Sequence, residues 1–168
     1  MAEAITFYVF GGLAVIAALI MITRPNPISA AWSLVVVMIS LAALFVALSA
    51  TFVAAMQVIV YAGAIMVLFL FVVMLLNLSP DQLDKLKNSS TLIFGGILAV
   101  GLLVVLVAMS LLAPHDSAAV ADNFGQVAPV AKLLFSAYLL PFEVASVLLL
   151  AAIVGAVVLS MKEKEEEK

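Results

Sequence analysis

The chain has 168 residues, 67% of them hydrophobic and 10% charged, with a mean hydropathy of +1.37, and that balance excludes a water-soluble domain. The formal charge of −3 comes with no basic face to track phosphates, so nucleic acid is excluded as a partner. No cysteine is present, which excludes disulfides, thiolate zinc sites and cysteine-held iron–sulfur clusters in this chain.

A helix needs about 20 apolar residues to cross a ~30 Å hydrocarbon core. Cutting the sequence at its charges and prolines leaves five such segments. The first runs from about 4 to 23 and stops at Arg24-Pro25-Asn26-Pro27, where the prolines remove backbone donors. The second covers about 28–49. The third, about 51–78, follows so closely that the two must be antiparallel neighbours, and Ser79-Pro80-Asp81 ends it. After a polar stretch a fourth segment spans about 91–112. The longest hydrophilic connection, roughly Ala113 to Lys132, leads to the fifth, about 137–161. Segments of this length satisfy their backbone groups in lipid only as helices, so the expected fold is an all-α integral membrane protein with five transmembrane helices. Residues 1–161 are read as a single membrane domain and 162–168 as a charged tail.

Lysine and arginine set the orientation. Arg24, Lys85, Lys87, Lys162, Lys164 and Lys168 lie on one side and Lys132 alone on the other, so the first side is placed in the cytoplasm and the N-terminus outside. Glu3 before the first apolar run and Arg24-Pro25 after it do not suit a cleaved leader, and the first helix is expected to be retained.

Polar groups within the spans carry the functional argument, because each is costly in hydrocarbon. Glu143 is the one acid inside a span, about 9 Å from the outer end of the fifth segment at 1.5 Å per residue. It reads either as an acid in the first helical turn after Pro141, where the helix dipole favours it, or as a protonatable link in a water path.

The third segment is the most unusual. Gln57 and Tyr61 are four apart and so are expected on one face, with Tyr61 roughly 15 Å in, near the midplane. Gly63 weakens the helix by about 1 kcal/mol relative to alanine and admits a π-bulge or a close neighbour. No polar side chain follows Tyr61 until Asn77, which suits a hydrophobic gate. The same Ala62-Gly63-Ala64 cluster also suits plain helix packing. Elsewhere, His115 beside Asp116 reads as a solvated loop residue rather than a metal ligand. Trp32 reads as an interfacial aromatic, and the Ala14 to Ala18 spacing is a weak helix-contact signal. No nucleophile–base arrangement, phosphate loop or metal-ligand cluster is present, so no catalytic, cofactor-binding or metal residue is assigned.

The run Val58-Ile-Val-Tyr-Ala-Gly-Ala-Ile-Met-Val-Leu-Phe-Leu-Phe-Val-Val-Met-Leu-Leu-Asn-Leu78 resembles the signature helix of subunit J of bacterial NADH:quinone oxidoreductase, chain 6 of respiratory complex I. The Asn26-Pro27 turn, the Glu143-Val-Ala-Ser-Val-Leu-Leu-Leu-Ala151 run, the five-helix plan and the charged tail agree with it. The resemblance implies a membrane-arm subunit in the bacterial inner membrane, N-terminus periplasmic, C-terminus cytoplasmic. Subunits A, H and K and the antiporter-like subunits would be its neighbours. NADH, FMN, iron–sulfur clusters and quinone would belong to the complex and none to this chain. It further implies a π-bulge around Tyr61 to Gly63 that relaxes to α-helix, with Val67 to Leu70 as the dry gate beyond it, and Glu143 matches the family's acidic residue in the fifth helix; Gln57 and Glu143 are read with them as the expected proton-path residues. Two other readings stay open. One is a purely structural subunit of the same complex; the other is a small subunit of a related cation/proton antiporter or membrane-bound hydrogenase.

Overall fold

The computed structural model describes residues 2–76, 89–112 and 123–161, and every regular element among them is helical. The helices are α1 (Ala2–Thr23), α2 (Pro27–Ala47), α3 (Thr51–Leu76), α4 (Ser89–Leu112), α5 (Val127–Leu134) and α6 (Leu139–Ser160). Five of them are long and apolar enough to cross a membrane: Ala4–Thr23, Pro27–Ala47, Thr51–Leu76, Ile93–Leu112 and Leu139–Ser160. These are the five expected spans, with ends moved by one or two residues. His115, Asn77, Lys85, Lys87 and the tail 162–168 lie outside the described residues.

The described chain forms two compact units, divided after Phe124. In the first, the turn after α1 shows why its sequence ends one helix and starts another. Asn26 is the N-cap of α2, its Oδ1 accepting from the backbone N–H of Ile28 at 2.9 Å and of Ser29 at 3.4 Å, while Pro27 takes the first helical position, where no N–H is needed. The next turn is tighter. Ser49 adopts the left-handed conformation at φ 61°, the Ala50 N–H reaches the Phe45 carbonyl at 2.9 Å and the Ser49 N–H reaches that of Val46 at 3.0 Å. This pair of bonds closes α2 with a Schellman motif and turns the chain straight into α3.

Packing in this unit rests on small side chains. Ala17 of α1, Ala31, Ser40 and Ala42 of α2, and Ala54 of α3 are buried, which lets the helices approach closely, and α2 lies against both its neighbours. Ser40 is fully buried, and its hydroxyl donates to the Val36 carbonyl one turn back at 2.8 Å, so it adds no unpaired polar group. On α1 the buried position is Ala17, flanked by half-buried Ala14 and Ala18. Every described side chain of α4 is exposed, and Trp32 on α2 is exposed too.

The second unit holds α5 and α6. The stretch read as a hydrophilic connection up to Lys132 is a correction here, because its last part is the two-turn helix α5. A cut at the lysine hides an apolar stripe of Val127, Val130 and Leu134, which is too short to register as a span. The Phe135 and Phe142 rings meet edge to face at 5.1 Å and tie α5 to α6. Pro141 falls at the third residue of α6, where the missing N–H costs no helical bond.

Candidate functional site

The interior of α3 is not a continuous α-helix. Thr51–Met56 is α-helical, Gln57–Ile65 is π-helical and Met66–Leu76 is α-helical again. The π-helical stretch contains Tyr61, Ala62 and Gly63, and it is wider than the single bulge expected around them.

Burial along α3 shows what this winding does. Ala54, Gln57, Met66 and Val73 are its buried residues, and α2 is the helix it packs against. In an unbroken α-helix, at 100° per residue, Met66 would stand about 180° away from Gln57, on the opposite side. A π-helix turns fewer degrees per residue, roughly 80°, and nine such steps return Met66 to the side Gln57 occupies. The π stretch therefore keeps both ends of α3 packed on one partner.

Gly63 is fitted to that geometry. A Cβ added to it would lie 3.3 Å from the carbonyl oxygen of Val58, five residues back, the distance along the chain over which π-helical bonds run. The neighbour is backbone, so an alanine would need the Val58 carbonyl to give slightly within the π turn.

Gln57 opens the π stretch and is 8% exposed, and its Nε2 donates to the thioether of Met38 on α2 at 3.2 Å. A thioether is a weak acceptor, so this contact holds the junction without making it costly to break. Nothing in the sequence pattern selects Met38, because a methionine in an apolar span ordinarily does no more than fill space.

Tyr61, four residues after buried Gln57, is 50% exposed. Four π-helical steps of roughly 80° fall only a little short of a full turn, so Tyr61 stays on the side Gln57 occupies, at its exposed edge. Its phenol faces outward from this chain.

Beyond the π stretch the lining side chains are apolar. Val67 and Leu70 line a cavity of about 180 Å³ with Phe71, Met74 and Ile28 of α2. A second, of about 280 Å³, lies among Met21, Pro27, Ala30, Ala31, Leu34 and Phe69. Neither has a charged side chain on its wall, so water entering them would find little to bond.

Glu143 belongs to the second unit. It is the fifth residue of α6, just past the first turn rather than within it as one reading had it, about 6 Å along the helix at 1.5 Å per residue. Ahead of it Pro141 has no N–H, and those of Tyr138 and Phe142 already reach the carbonyls of Leu133 and Tyr138, so its carboxylate has no capping role there. Its carbonyl accepts the Ser146 hydroxyl at 2.7 Å. Among the described residues no group of three or more histidine and acidic side chains could hold a metal ion.

Five apolar spans, one of them interrupted by a π stretch, with every regular element among the described residues helical, define a polytopic membrane protein. Residues 17–159 match the model of the family described as NADH-ubiquinone/plastoquinone oxidoreductase chain 6. NADH-quinone oxidoreductase subunit J of Pseudomonas aeruginosa is 39% identical over 95% of this chain and 98% of its own length. The subunit J of Escherichia coli K12 is 34% identical over 96% of this chain and 88% of its own. The NAD(P)H-quinone oxidoreductase chain 6 of Synechocystis is 37% identical over 95% and 81%. The chain belongs to the chain 6, or subunit J, family of NADH-quinone oxidoreductases.

Proposed function

We propose that this chain gates a water and proton path in the membrane arm of a proton-translocating NADH:quinone oxidoreductase, by moving the α/π boundary within α3. The observation that carries the reading is the seat of Gly63. A Cβ there would meet the Val58 carbonyl oxygen at 3.3 Å, so a residue without one suits a helix that must be π-wound in one state and can rewind in another. Rewinding Gln57–Ile65 to α-helix rotates whatever follows it relative to whatever precedes it. Val67 and Leu70 then swing out of their apolar cavity or back into it, and a dry constriction opens or closes. Tyr61, on the rotating stretch, offers its hydroxyl as donor and acceptor at the mouth of the path. Gln57, held to Met38, marks its fixed end.

In this reading the electron chemistry is on other chains, which carry NADH, FMN, the iron–sulfur clusters and quinone. This chain's own residues do not fit a cluster or metal, for want of cysteine and of any ligand group among the described residues, so its part is the control of water and protons. Residues 1–161 would act as one membrane domain in the bacterial inner membrane, N-terminus periplasmic, beside subunits A, H and K and toward the antiporter-like subunits. Glu143 would relay protons on α6, and Glu143→Gln should then slow turnover; unchanged turnover would return that residue to a passive place near the helix start.

The decisive measurement compares NADH oxidation with proton pumping in membranes carrying Tyr61→Phe or Gly63→Leu. Assembled complexes that oxidise NADH but pump poorly support the gate, and full pumping in both variants sinks it. The small-residue packing of α1 to α3 favours a second reading, a purely structural subunit, and failure of every α3 variant to assemble would select it.

A further inference from the structure

Helix α5 is the one element that neither the span pattern nor the proposed gate uses. At about 100° per residue, Val127, Val130 and Leu134 fall within about a sixth of a turn of one another, and Lys132 falls opposite the centre of that stripe. Val130 and Leu134 are half-buried, while Val127 is 62% exposed, so the stripe is only partly covered from within the unit.

The place of this face is fixed by its neighbour. The turn of residues 135–138 joins α5 to α6, the Phe135–Phe142 ring contact holds the two together, and α6 is a membrane span from Leu139 onward. The Ser136 hydroxyl donates to the Lys132 carbonyl at 2.6 Å and the Tyr138 N–H to that of Leu133 at 3.0 Å, which closes the helix sharply at the point where the span begins. Exposed Tyr138 stands at this junction, the level at which tyrosine and tryptophan rings collect. The apolar stripe is thus continuous with a lipid-level surface, and Lys132 is the one basic side chain among residues 123–161.

We infer that α5 is an interfacial helix, seating Val127, Val130 and Leu134 at the boundary of acyl chains and headgroups and presenting Lys132 to lipid phosphate. The occupant is the phospholipid surface, not a further protein.

The absence of cysteine makes the test direct. Val127→Cys and Lys132→Cys are each introduced into the tagged chain, at exposed positions where no core is opened. The assembled complex is placed in vesicles of phosphatidylethanolamine and phosphatidylglycerol, part of the latter carrying a photoactivatable group near the headgroup end of the acyl chain. A charged, membrane-impermeant maleimide is applied, and the chain is isolated before labelling is read. The Lys132→Cys thiol should react about tenfold faster than the Val127→Cys thiol, which is kept protonated away from water. The photolipid should mark the peptide holding 127–134. Equal reaction rates at the two positions would place α5 in water and overturn the inference. A protected Val127→Cys with no photolipid mark would overturn it too, in favour of a neighbouring subunit.

Discussion

Helices α2 and α6 have nearly the same length, 21 and 22 residues, and are similarly apolar, yet they are built for different neighbours. Helix α2 buries Ala31, Ser40 and Ala42 between α1 and α3, whereas no described side chain of α6 is buried by this chain. Hydropathy states that a helix enters lipid; the placing of small residues states whether it meets another helix of its own chain. Helix α4 belongs with α6 in this respect, for all its described side chains are exposed, Gly95, Gly96 and Gly101 have open space where a Cβ would go, and so does Gly155 on α6. Faces with unused small residues suit contact with other subunits, and they can be told from lipid-facing ones by mutation.

The largest effect should come from filling the packed side of the comparison. Ser40→Leu puts a bulky side chain into a fully buried site and should cost about 1–3 kcal/mol or more, seen as loss of the folded subunit from the membrane or a fall in its melting point in detergent. The same enlargement at Gly155 should leave the chain's own folding unchanged. If Gly155→Leu nevertheless blocks incorporation into the complex on a native gel, α6 meets a neighbouring subunit there; normal incorporation assigns that face to lipid.

Gly63→Ala comes next. Alanine favours α-helix over glycine by about 1 kcal/mol, and its Cβ would press on the Val58 carbonyl, so both terms drive the π stretch toward α. Faster amide hydrogen exchange at Met66 and Val73, as they leave α2, is the expected sign, and an unchanged exchange pattern would mean that the winding tolerates a Cβ. Phe142→Ala should loosen α5 through loss of a ring pair worth about 0.5–1.5 kcal/mol, read as protease cleavage between Lys132 and Tyr138 that the parent resists. Smallest of all, and of opposite sign, Ser49→Gly should stabilise the α2–α3 turn by up to about 1 kcal/mol, since a left-handed residue then carries no Cβ. A lowered melting point for that variant would show that the serine side chain contributes more than its conformation costs.

The spans and turns were legible because they rest on local chemistry. Twenty apolar residues ended by Arg24-Pro25-Asn26-Pro27 can do little else in a membrane, and Asn26 and Pro27 are the residues a helix start uses. Gly63 marked the weak point of α3 for an equally local reason. What the sequence could not convey is phase. Gln57 and Met66 look unrelated under an α-helical period, and only the partner helix makes them one row. Met38 was equally hidden, for its role depends on which side chain faces it across the interface. Helix α5 was passed over because two turns interrupted by a lysine look like a loop when the template is a full span.

The nine-residue π stretch also changes how α3 should respond to altered chain length. From Gln57 to Met66 the chain takes nine steps to regain a face that seven α-helical steps, about 700°, would nearly reach. The helix therefore stores roughly two residues of slack in its middle. Removing two residues from within 58–64 should leave Ala54, Gln57, Met66 and Val73 still aligned on α2 in a plain α-helix, whereas the same deletion in α2, which holds no slack, should throw half of its contacts out of register. A shortened α3 of that kind would be a subunit fixed in one winding, able to pack as before but with no spare length left to move.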